Sequence, residues 1–149
     1  MYNSTLFIHS WLRWVVLILM ILVIVKSIIG LTGNKNYEKL DRILAASTVG
    51  TLHLQLFIGL ALYIFLSPIT QAAFSDFGAA MKEASVRYWA VEHIFAMIVA
   101  IGLAEVGKSK AKKASEDKKK FKMQLIFFTL SLILILSRIP FNQAERLFR

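Results

Sequence analysis

The sequence contains no cysteine. Disulfides, thiolate metal sites, iron–sulfur clusters and thioether-linked haem are therefore excluded, and any metal must be held by His, carboxylate, Met or backbone groups. Proline occurs twice, as Pro68 and Pro140, and each closes an apolar run. Acidic residues number 9 against 18 Lys and Arg, and charged residues of both signs make up only 18% of the 149 positions. Apolar residues fill the deficit. Hydrophobic residues reach 57% and the mean hydropathy is +0.61, well above an ordinary soluble domain.

These proportions predict an all-α integral membrane protein. The first span covers about residues 6–31, with an unbroken apolar core from Trp14 to Val25 and with Trp11 and Trp14 marking one interface. It has no positive n-region or small-residue cleavage site, and its apolar run continues past Lys26. We therefore read it as retained rather than as a signal peptide. After a short loop of Gly33, Asn34 and the charged stretch Lys35 to Arg42, the second span covers about residues 43–66. It carries Ser47, Thr48, Thr51, His53 and Gln55, and ends at Ser67-Pro68. Residues 69–86 form a polar connection with room for a short amphipathic surface helix. The third span covers about residues 87–107 and the fourth about residues 121–139. Between them lies a basic loop, residues 108–122, with eight Lys against two acids, and a tail with Glu145, Arg146 and Arg149 follows. Four spans of about 20 residues each use nearly the whole length, so a single membrane domain, residues 1–149, is expected.

The first and third loops hold about twelve of the eighteen Lys and Arg, counting Lys26. The positive-inside rule places both loops in the cytoplasm and both termini outside. Short loops make successive spans antiparallel neighbours, which gives a four-transmembrane-helix up-and-down bundle. The formal net charge of +9 reads as a topology signal and as contact with anionic lipid, not as a nucleic-acid interface.

Ionisable residues inside a span are functional candidates by default. Glu92 and His93 sit within the third apolar run and His53 within the second. Counted from the basic ends at 1.5 Å per residue, His53 lies at about 16 Å and His93 at about 22 Å, one turn apart. Both imidazoles thus fit one layer. Gly50, Phe57 and Leu60 flank the first, and Ala90, Ala96, Met97, Ala100 and Ala104 flank the second. Two imidazoles from different helices with small residues around them suit a haem b held by His53 and His93 as axial ligands, with Arg13 and Arg138 as propionate partners. His9 lies one turn before Arg13 on the same face and, with Gln55 and Glu92, supplies supporting groups. Bland readings run alongside. Small residues also serve tight helix packing, Arg13 and Arg138 also snorkel to headgroups, and Lys26 and Glu105 form either an interhelical ion pair or two independent interface residues. Adjacent Glu92 and His93 point about 100° apart, so Glu92 reads as a counter-charge for Arg13 or Arg138 rather than as a ligand.

The patterns His9-Ser10-x-x-Arg13-Trp14, His53-x-Gln55-x-x-x-Gly59-Leu60-x-Leu62-Tyr63 and Arg87-Tyr88-x-x-x-Glu92-His93, followed by the Lys-rich loop, span nearly the whole chain from His9 to Pro140. Together they resemble small four-span inner-membrane proteins of Bacteroidota commonly labelled cytochrome b. The resemblance implies a multi-pass protein of the bacterial inner membrane that carries haem b and passes electrons to or from a quinone or a redox partner protein.

Two other readings of the same residues stay open. Glu92, His93, His53 and His9 could hold Zn, Cu or Fe directly, as in a metal-binding or metal-transport protein, with His53 and His93 as the leading pair. Alternatively, the chain is a non-catalytic accessory subunit of a larger membrane complex. Its polar residues then serve as interhelical hydrogen bonds, and aromatics such as Phe127 and Phe128 as partner contacts. No hydrolase constellation is present, so an electron carrier or subunit is expected rather than a stand-alone enzyme.

Overall fold

The structure is a computed structural model that describes residues 1–148; Arg149 of the tail lies outside them. It consists of helices and connecting turns, with no strand among the described residues. The helices are α1 (Tyr2–Thr32), α2 (Lys39–Leu66), α3 (Pro68–Ser75), α4 (Phe77–Lys82), α5 (Ala84–Lys113) and α6 (Asp117–Leu136). Three of them, α1, α2 and α5, are long and apolar enough to cross a membrane. α6 is also long, but its first two turns carry Lys118, Lys119, Lys120 and Lys122. α1, at 31 residues, spans about 46 Å and therefore overreaches a hydrocarbon core of about 30 Å.

The four long helices pack in a ring in which α1 touches α2 and α6, and α5 touches α2 and α6. The core is made of Val16, Met20 and Val23 of α1, Val49 and Leu52 of α2, Ala100 and Ala104 of α5, and Phe128 and Ile135 of α6. The α5–α6 seam depends on small residues. Ala100, Ala104 and Ala111 are fully buried there, and the Ser131 hydroxyl donates to the Ala100 carbonyl at 2.7 Å. A Cβ at Gly107 would lie 2.7 Å from Phe127 Cβ and 3.3 Å from the Phe128 ring. The alanines of the third span thus pack helix against helix. Phe128, read from the sequence as a candidate partner contact, lies inside the bundle at 0% exposure.

At the basic end, Ser27 and Gln124 are buried together. The Ser27 hydroxyl lies 3.4 Å from Gln124 Oε1, and Gln124 Nε2 donates to the Tyr37 hydroxyl at 2.6 Å. Burial, ahead of the nearby Asp41 carboxylate, pushes the Tyr37 phenol up to about 12, so it stays neutral. Asp41 accepts from the Glu38 backbone N–H at 2.9 Å, which closes the capping box of α2, and it pairs with Lys26 at 3.1 Å. Lys26 is therefore bonded across the first loop and not to Glu105, which pairs with Lys108 on its own helix at 2.8 Å. Gly30 is the point of closest approach. A Cβ there would come within 2.5 Å of the Phe121 ring, itself 2% exposed. Gly30→Ala is expected to destabilise the bundle by about 1 kcal/mol through overpacking. An unchanged midpoint of thermal unfolding in detergent would contradict this contact.

The opposite end is built differently. Pro68 sets the first turn of α3, and Ser67 caps it by accepting from the Thr70 backbone N–H. The expected surface connection is two short helices, α3 and α4, and α5 starts at Ala84, a turn earlier than its apolar run suggests. Two π-helical turns, Leu62–Leu66 and Tyr88–Glu92, interrupt α2 and α5 at this end. Displaced carbonyls there find side-chain donors. Tyr63 O accepts from the Thr70 hydroxyl at 2.7 Å, Phe65 O from Gln71 Nε2 at 2.7 Å, and Ala90 O from the Tyr63 hydroxyl at 2.6 Å. After α6 the tail folds back onto α1. Trp14 Nε1 donates to the Leu147 carbonyl at 3.1 Å, and Phe148 stacks on Trp14 at 5.6 Å.

Candidate functional site

The end opposite the basic loops contains a cavity of about 140 Å³ between α1, α2, α5 and the end of α6. It is reached one face at a time. On α1, His9, Arg13 and Val16 follow each other at helical spacing and line it. On α2 the lining residues are Leu52, Gln55, Leu56, Gly59 and Tyr63, and on α5 they are Trp89, His93, Met97 and Ile101. Arg138 and Arg146 close the outer side. Most of the wall is apolar, and the cavity is not sealed from its surroundings.

Five polar atoms of these lining residues are buried and have no hydrogen-bond partner: His9 Nδ1, Arg13 Nε, Gln55 Oε1, His93 Nδ1 and Arg138 Nε. Such groups are rare in folded proteins, and several around one cavity single it out as the candidate site. Their other atoms are fixed. Gln55 Nε2 donates to the His9 carbonyl at 2.8 Å, which locks the amide with its oxygen free. Arg13 donates to the Arg146 and Leu147 carbonyls at 3.2 and 2.7 Å. The His93 ring is held by Trp89 at 5.4 Å and Tyr88 at 6.2 Å between centroids. His9 is seated on Gly59, where a Cβ would stand 3.1 Å from its Cε1.

Cations crowd the outer rim. Glu92 bridges Arg87 and Arg138, each at 3.1 Å, and Tyr88 donates to the Arg138 carbonyl at 2.8 Å. Arg87 also donates to the Met81 carbonyl at 2.9 Å, which ties α4 to α5. The Arg146 guanidinium lies 4.7 Å from the centroid of Trp89. Glu92 thus serves as a counter-charge, while Arg13, among the described residues, bonds only to backbone carbonyls.

The sequence candidates divide by helix face. His9, Arg13, Gln55, His93 and Arg138 meet at the cavity, and Glu92 stands behind Arg138. His53 does not reach it. Its Nδ1 lies 2.9 Å from the Val49 carbonyl of its own helix, and its neighbours Gly50 and Phe57 face outward, Phe57 with 67% exposure. The reason is angular. Positions 53 and 55 are about 200° apart on a helix, so Gln55 facing inward turns His53 away. His9 also stands level with Gly59, six residues or about 9 Å from His53 along α2. Among the described residues no group of three or more His, Cys, Asp or Glu side chains is placed to hold a metal ion. The set Glu92, His93, His53 and His9 expected for a directly bound ion is therefore not brought together. Three contributors were missed in the sequence: Trp89, Tyr63 and Arg146. Only Trp89 and Tyr63 carried a signal, since each lies one turn from a cavity polar residue, His93 or Gly59 with its seated His9.

Comparison with known proteins yields nothing to place beside this geometry: no protein-family model, no curated protein and no solved structure matches the chain.

Proposed function

We propose that the chain is a four-span protein of the bacterial inner membrane that binds a lipid-phase redox ligand in the outer cavity and serves electron transfer. The convergence of five unpartnered buried polar atoms, from three helices and the turn after α6, on one cavity carries this reading. The resemblance to proteins labelled cytochrome b supplies its redox part. Stoichiometric recovery of a small organic ligand from protein purified out of its native membrane is the expected result, with loss of that ligand in Arg13→Gln. Protein that is empty under every condition of expression, haem supplementation included, would overturn it.

Haem b is the second reading, favoured by His9 and His93. They present unpartnered ring nitrogens from separate helices, with Arg13, Arg138 and Arg146 at the rim. Haem would supply a one-electron centre there. The volume argues against it. About 140 Å³ is near the size of an engineered cavity that takes up benzene, and a porphyrin does not fit in it. A low-spin spectrum lost in His9→Ala and His93→Ala but kept in His53→Ala would establish a haem in this cavity. Loss in His53→Ala would restore the pairing expected from sequence.

The topology has its own test. α6 carries an uncharged, mostly apolar stretch from Met123 to Leu136, fourteen residues or about 21 Å, which supports it as a fourth, shorter span. Because the chain has no native cysteine, single replacements report directly. Asn3→Cys is expected to react with an impermeant thiol reagent in intact cells, and Ser115→Cys only after permeabilisation. The opposite pattern would invert the orientation.

A further inference from the structure

We infer that the outer cavity binds the head group of a benzoquinone or its quinol, an assignment that rests on reading the cavity as a lipid-phase ligand site. Four observations select this chemistry. The cavity, about 140 Å³ and open on one side, has room for a six-membered ring and the substituents it carries. The walls are mostly apolar, so a phosphate or other bare anion would lose most of its hydration against Leu56, Met97 and Ile101, with only the arginines at one side to replace it. The free donors are Arg13 Nε and Arg138 Nε, which suit carbonyl oxygens. The free acceptor is Gln55 Oε1, held in that orientation by the bond from Nε2 to the His9 carbonyl, and it suits a hydroxyl donor.

A bare anion has no use for the Gln55 oxygen, and a purely apolar ring has none for the two arginines. A quinone carbonyl accepts from the guanidinium N–H groups. The corresponding quinol offers O–H groups to Gln55 and to the free Nδ1 of His9 or His93, each of which accepts when its ring is in the right tautomer. The site therefore has partners for both redox states of one ligand. The ring would lie beside Trp89, whose other neighbours are His93 and the Arg146 guanidinium. The incompletely closed wall leaves a way out for a prenyl tail.

The test uses full-length protein in lipid nanodiscs, titrated anaerobically with a short-tailed benzoquinone and separately with its quinol, with tryptophan quenching as the signal. Saturable binding at one ligand per chain is expected, with most of the quench lost in Trp89→Phe. Gln55→Leu should weaken the quinol about tenfold and leave the quinone nearly unchanged. Arg13→Gln should weaken the quinone about tenfold or more, as expected for a lost hydrogen bond from a charged donor. His53→Ala, outside the cavity, should leave both titrations unaltered. Should Arg13→Gln fail to fold, the Gln55→Leu pair of titrations decides alone. Unsaturable quenching, or equal binding by wild type and Gln55→Leu in both redox states, would overturn the assignment. If neither quinone nor quinol binds but the purified protein yields another stoichiometric ligand, the quinone assignment fails and the cavity reading stands. If it yields none, both fail.

Discussion

Phe128→Ala is expected to lower the stability of the folded bundle by about 2–3 kcal/mol, the largest effect we anticipate for one apolar truncation. Phe128 is completely buried, and its ring edge fills the approach left open by Gly107 on α5. In water such a truncation has two costs, the lost transfer from water and the cavity left behind. In a bilayer the first nearly vanishes, because lipid tails are as apolar as the core. The cavity cost remains, since the neighbouring alanines at 100 and 104 cannot extend to fill it. Ile133, on the outer side of the same helix with 59% exposure, packs against nothing in the bundle that its loss would leave empty, and in the four-span arrangement proposed above lipid would replace its missing atoms. Ile133→Ala should therefore leave the unfolding midpoint in detergent nearly unchanged. Equal shifts for the two variants would show that α6 does not pack as described.

Glu92→Gln should cost about 1–2 kcal/mol, the second large effect. One carboxylate compensates two guanidiniums, Arg87 and Arg138, each at 3.1 Å. All three groups are about a third exposed or more, so each bond is discounted toward the surface value of about 1 kcal/mol or less. The variant does more than remove two bonds, however, because it leaves two cations facing each other at the rim of an apolar cavity, and uncompensated charge is the expensive outcome. Adding Arg138→Gln should recover part of the loss, and that recovery is the signature of the pairing. Additive losses in the double variant would refute it. Glu105→Gln offers a contrast at the basic end, where an exposed one-turn pair with Lys108 should contribute almost nothing.

The helices were legible in the sequence because length and apolarity report spans directly: the first two end within a few residues of Thr32 and Leu66. Which face of each helix points inward was harder. In a soluble bundle the polar side marks the outside, but here Phe57 on the surface and Phe128 in the core are the same residue type. Only polar residues could break that symmetry. On α1 they did, since His9 and Arg13 lie four apart and both line the cavity. On α2 they misled. His53 and Gln55 invite grouping by proximity in sequence, although a helix sends positions two apart to opposite sides. The same rule separates Glu92 from His93, and applied to the second pair it puts Gln55 rather than His53 on the face that lines the cavity. Ion pairs such as Lys26 with Asp41 depend on loop geometry, and the placement of Arg146 and Leu147 beside Arg13 depends on a non-periodic tail. Neither leaves a periodic trace.

The two π turns, Leu62–Leu66 and Tyr88–Glu92, carry a consequence for how chains of this design can change length. Each holds one residue more than an α turn needs. A deletion inside either turn can be absorbed by a return to ordinary α geometry, leaving the rest of the helix aligned with its neighbours. The same deletion one turn further along α5 would rotate everything beyond it by about 100° and turn the alanine seam toward lipid. Loss of one residue should therefore be tolerated at the two π turns beside the cavity and not along the α5–α6 seam, so the cavity end is the part of this bundle that can be reshaped by length as well as by substitution.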